Sequence, residues 1–69
     1  MKIINNIMIS NSIKKEDYEI LIKQKVDSDY LAYCPQINYL VKGVSYQEVF
    51  DKIDTLILNH INHIKTENT

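Results

Sequence analysis

Four kinds of residue in this chain could do chemistry: one cysteine, Cys34; two histidines, His60 and His63; two neighbouring aspartates, Asp51 and Asp54; and five tyrosines. A catalytic cysteine needs a base beside it to form the thiolate, and nothing in the spacing sets a histidine next to Cys34. Unpaired cysteines usually pack as small buried hydrophobes, which is the reading preferred here. His60 and His63 stand three apart on one helix and could share a metal, but two ligands do not close a zinc site. His60 continues an apolar stripe near Ile57 and Ile61, whereas His63 leans to the polar side. Asp51 and Asp54 would work as an acid/base pair only if buried, and their pattern is that of a solvated helix face. No catalytic, metal-binding or cofactor-binding residue is therefore expected, and the chain is read as a non-enzyme.

The tyrosines raise a different question. Tyr30, Tyr33, Tyr39 and Tyr46 could stack on bases, as sheet aromatics do in RNA-recognition modules. Those modules ring their aromatics with basic groups, and only Lys42 is near here. Tyrosine is also a strong strand former and is enriched at protein interfaces. Packing or a protein contact is preferred, with Leu31, Tyr33 and Tyr39 as the candidate partner-binding residues.

Size and charge bound the rest. Sixty-nine residues make one small domain, which buries only about 60% of its unfolded surface and gains from a staple or a partner subunit. A lone cysteine cannot close an internal disulfide and suits a reducing cytoplasm. Eight lysines, no arginine and nine acids give a net charge of −1. Phosphate binders usually show a basic face with arginines, so nucleic acid is not an expected partner. No apolar run is long enough to span a bilayer, and the interrupted start, MKIINNIMIS, makes a poor signal peptide.

The elements that must position these residues follow from periodicity. Tyr18–Gln24 alternates, with Tyr18, Ile20 and Ile22 on one face and Glu19 and Lys23 on the other. Val26–Asp29 carries turn-forming side chains. The alternation resumes over Tyr30–Cys34, setting Tyr30, Ala32 and Cys34 against Leu31 and Tyr33, and Pro35 stops that strand. Tyr39–Lys42 is a short third strand ended by the single glycine, Gly43. Short connections imply antiparallel neighbours. Ser45 and Glu48 fit a capping box. Beyond them Val49, Phe50, Ile53, Leu56, Ile57, Ile61 and Ile64 predict an amphipathic helix of about 20 residues, about 30 Å long. Phe50 and Ile53 are its expected core contacts. The fold class is thus α+β: an antiparallel sheet of three or four strands with one long C-terminal helix on one face. Residues 1–17 form an extension in which Ile3–Ile9 could add an edge strand, 18–65 form the domain, and 66–69 are expected to be a disordered tail.

This order of elements resembles the N-terminal domain of the HicB antitoxin family. The resemblance runs through YEILI at Tyr18–Ile22, DYLAYCP at Asp29–Pro35 and GVSYQEVF at Gly43–Phe50. Tyr30, Ala32, Pro35, Ile37, Gly43, Ser45 and Glu48 fall on the family's positions, over roughly residues 18 to 64. Asp29 replaces a turn glycine, Asn38-Tyr39-Leu40 replaces a Pro-Gly-Cys corner, and Val49 replaces a small helix alanine. The resemblance implies a partial ribonuclease-H-like arrangement and a non-catalytic antitoxin-type module. Such a module blocks a HicA-like RNA-cleaving toxin by contact. The DNA-binding domain that many members carry is not expected here. A stand-alone structural or regulatory homodimer of the same fold, or a weak RNA-binding domain, are the alternatives. A homodimer joined through the sheet is expected in either protein-binding case, because one helix covers only one of two apolar sheet faces.

Overall fold

The computed structural model describes residues 9–26 and 29–67. Three strands, β1 (Leu21–Gln24), β2 (Tyr30–Cys34) and β3 (Tyr39–Gly43), precede one helix, α1 (Tyr46–Glu67). The sheet is antiparallel throughout, in the order β1-β2-β3. The register pairs Ile22 with Ala32 and Ala32 with Val41, while Tyr33 lies between Leu21 and Leu40. Because side chains alternate along a strand, Ile22, Ala32, Cys34, Val41 and Tyr39 face the helix. Leu21, Lys23, Leu31, Tyr33, Leu40 and Lys42 face away from it.

The core forms where the helix stripe meets the middle strand. Ala32 and Cys34 are fully buried, and so are Val49, Ile53 and Ile57 above them. Two small side chains at the centre of the sheet let the helix approach closely, and β-branched residues at four-residue spacing fill the gap. Tyr18, Ile37 and Ile61 complete the cluster, with Ile20, Ile22, Tyr30, Val41 and Leu56 packed half-buried around it. Phe50 departs from the expectation. It is only half-buried, and its ring stacks on Tyr46 with centroids 6.4 Å apart and planes 12° apart. One residue beyond Val49 is about 100° further round the helix, so when Val49 points at the sheet Phe50 turns to the flank.

Two boundaries also differ. The first strand begins at Leu21, not Tyr18, because residues 15–17 form a 3-10 turn and the Tyr18 N–H donates to the Lys15 carbonyl at 3.0 Å. The helix continues through Glu67, so Thr66 and Glu67 belong to it and not to a tail. The expected edge strand at Ile3–Ile9 lies outside the described residues except for Ile9, which is exposed and not in a strand. Residues 9–17 are strapped across the sheet's end. The Ser10 N–H donates to the Gln36 carbonyl at 2.8 Å, the Tyr18 hydroxyl donates to the Ser12 carbonyl at 2.6 Å, and Lys15 pairs with Asp54.

The turn at 35–38 and the helix start are built by local chemistry. Asn38 takes a left-handed φ of 53°, which asparagine tolerates better than most residues. At the helix start the Ser45 hydroxyl accepts the Glu48 N–H at 3.1 Å, as a capping box requires. The reciprocal bond is shifted by one residue, since the Glu48 carboxylate accepts the Val44 N–H at 2.9 Å. Gly43 makes room for this: a Cβ there would stand 2.8 Å from Glu48 Cδ and 2.9 Å from Val49 Cγ1. Among the described residues no helix is long and apolar enough to cross a membrane.

Candidate functional site

The side chains with chemical potential are placed apart. Cys34 is fully buried, and its thiol faces the Gln36 side-chain carbonyl at 3.5 Å, so no base stands ready to take its proton. His60 is half-buried edge-on to Tyr18, with ring centroids 5.8 Å apart. Its Nε2 lies 2.7 Å from the Ser10 carbonyl oxygen, which can only accept, so Nε2 carries the proton and is spent as a donor. His63 is exposed and pairs with Glu67 at 3.1 Å, four residues on. The two rings therefore serve different partners. Among the described residues no three His, Cys, Asp or Glu side chains come together as a metal site would need.

The carboxylates divide in the same way. Asp51 accepts a hydrogen bond from the Gln47 amide at 2.9 Å, whereas Asp54 pairs with Lys15. Glu48 is held below the usual carboxylate range, first by the Val44 N–H and then by the Lys52 ammonium, which sits 2.9 Å from its second oxygen. The Glu48 bonds fix the helix start, while Asp51 and Lys52 border a depression of about 410 Å³ with Val41, Thr55 and Leu56. The tyrosines do not form one platform either. Tyr30 packs against the core, Tyr46 stacks on Phe50, and the Tyr33 hydroxyl donates to the Asn38 side chain at 2.9 Å.

What the sheet does assemble is an apolar face that, among the described residues, has no helix on it. Leu21, Tyr33 and Leu40 make one row across the three strands, and Leu31 sits in the next row between Lys23 and Lys42. Leu21 is 52% exposed and Leu40 55% on the two strands that flank β2. A depression of about 230 Å³ opens among Leu21, Ile22, Lys23, Leu31, Tyr33 and Leu40. That is smaller than the roughly 300–1,000 Å³ of a small-molecule site, and it suits side chains from another protein.

Of the three residues expected to bind a partner, Leu31 and Tyr33 lie on this face. Tyr39 does not. Pairing of Tyr39 with Cys34 puts it on the helix side, where it lines a groove with Ile37, Leu56 and His60. Leu40, which the sequence reading did not single out, stands on the outer face instead. The signal was the length of the turn: with 35–38 as its four residues, Tyr39 must oppose Cys34 and share its face. Comparison with protein-family models, curated proteins and solved structures gave no match.

Proposed function

We propose that this chain is a non-catalytic, HicB-like antitoxin-type binding module of the cytoplasm that neutralises a HicA-like RNA-cleaving toxin by protein–protein contact. The reading rests on the resemblance over residues 18–64 and on one observation. The sheet exposes an apolar row, Leu21, Tyr33 and Leu40, beside Leu31, with lysines at the margin. Exposed apolar groups rimmed by polar ones are the usual mark of a protein contact.

Co-expression with a HicA-like protein encoded beside this one tests the reading. Co-purification and relief of RNA cleavage are expected, and Leu31→Glu or Tyr33→Glu should remove both while leaving the helical circular dichroism unchanged. A toxin that neither binds nor is inhibited by the folded protein would overturn it. A stand-alone homodimer is the second reading, and the edge of β1, which has no neighbouring strand among the described residues, favours it.

A further inference from the structure

We propose that β1 pairs edge to edge with β1 of a second copy, in antiparallel register about Leu21, to make a continuous six-stranded sheet. The inference deepens the homodimer reading and is independent of toxin binding, because it uses the sheet's edge and leaves its outer face open.

The backbone sets which groups are free. The Lys25 N–H donates to the Asp29 carbonyl at 2.6 Å, and 25 and 29 continue the register of Lys23 with Leu31 and Leu21 with Tyr33. In an antiparallel ladder alternate residues point their N–H and C=O to the same neighbour. Leu21, Lys23 and Lys25 thus turn theirs toward β2. Ile20, Ile22 and Gln24 turn theirs outward, where no further strand pairs with β1 among the described residues. On the opposite edge Leu40 and Lys42 point outward by the same alternation. There the Lys52 ammonium already bonds the Lys42 carbonyl at 3.0 Å, so a side chain covers part of that edge.

Charge then selects the partner. A lysine on an edge strand ordinarily deters pairing. Along β1 and the residue pair before it the order is Glu19, Ile20, Leu21, Ile22, Lys23, which is complementary to itself when reversed. With the two-fold axis at Leu21, Ile20 of one copy exchanges both backbone bonds with Ile22 of the other, and the reverse pair does the same. Lys23 then stands opposite Glu19 of the second copy, twice over, and Leu21 meets its own equivalent. These last contacts are non-hydrogen-bonded pairs, in which side chains come closest. Moving the register one step would set Leu21 against Lys23 and Ile20 against Gln24, wasting both matches. Ile20 and Ile22 also remain only half-buried at this edge, and pairing would extend the core over them.

The test uses the full chain. Sedimentation at tens of micromolar should show a dimer. Glu19→Lys or Lys23→Glu alone converts both symmetric pairs to like charges and should weaken the dimer by about tenfold or more. The two together should restore it, with circular dichroism confirming that every variant is folded. Leu21→Cys should form an intermolecular disulfide on mild oxidation, since Cα atoms in such a pair lie about 4.5 Å apart, within the range a disulfide spans. Lys23→Cys and the unsubstituted chain, with Cys34 buried, are the controls. A monomeric chain, single charge variants that dimerise like the parent, or a Leu21→Cys variant that crosslinks no faster than Lys23→Cys would each overturn the proposal. Toxin inhibition is read in a separate assay, so either proposal can fail without the other.

Discussion

Glu48 shows how one side chain ties three parts of the molecule together. Its carboxylate accepts the Val44 N–H just before the helix and pairs with Lys52 one turn on, and Lys52 reaches back to the Lys42 carbonyl of β3. Both partners stabilise the ionised form, so the carboxyl is held lower in the folded chain than in the unfolded one. Its contribution to stability is therefore complete above the ordinary carboxylate range. It is lost as the pH falls through that range and then through the lowered folded value. We expect Glu48→Gln to be less stable than the parent at neutral pH, and the difference to shrink on acidification. Urea midpoints at neutral and acid pH check this, and a constant difference would mean that Glu48 acts through shape, not charge. The sequence marked Ser45 and Glu48 as a cap. It did not show that Val44, not Ser45, donates to the carboxylate, because that depends on how Gly43 lets the chain pass beneath it.

At the scale of the element, the helix is read by its stripe. Val49, Ile53, Ile57 and Ile61 succeed one another at four-residue spacing and are buried. Ile53 is fully enclosed between the helix and the small residues Ala32 and Cys34. Ile53→Ala leaves a cavity that its neighbours cannot fill, and should cost about 2–5 kcal/mol. Phe50, half-buried against Tyr46 on the flank, should cost clearly less when cut to alanine, in spite of its larger ring. Denaturant unfolding of the two variants decides the order, and a larger loss for Phe50→Ala would put the flank ring into the core. Periodicity could not rank them beforehand, since both residues lie within the apolar arc of a helical projection. The small buried side chains of Ala32 and Cys34 at the sheet's centre pick the line of contact.

For the molecule as a whole, the strap formed by residues 9–17 is the part that local pattern described least well. A segment of mostly polar residues reads as a connector, yet here it is held by long-range bonds. His60 donates to the Ser10 carbonyl, Ser10 donates to the Gln36 carbonyl, and Tyr18 packs edge-on against His60 while its hydroxyl bonds Ser12. In a domain this small the strap closes one end of the core. His60→Ala should therefore release it before the sheet unfolds, through loss of a buried-side bond worth about 1 kcal/mol and of the ring contact. Trypsin cleavage after Lys14 or Lys15 should quicken several-fold while hydrogen-exchange protection of β2 stays high. Unchanged cleavage would show that the strap holds without His60.

Period-two alternation in Tyr18–Gln24 and Tyr30–Cys34 and the helical spacing after Ser45 determined the element order, the antiparallel pairing and the α+β class, because each pattern is a local property with one regular solution. The same alternation correctly separated Leu31 and Tyr33 from Ala32 and Cys34. Side-chain partners across the fold were decided only in three dimensions. His60 and His63 are three apart in sequence, yet one bonds a carbonyl fifty residues away and the other pairs with Glu67. Tyr39 and Leu40 are adjacent, yet the register across β2 sends one to the helix and the other to the outer face. Spacing along the chain fixes which side chains share a face. What each face meets depends on the register, the approach of the helix and the path of the strap, which only the packed structure supplies.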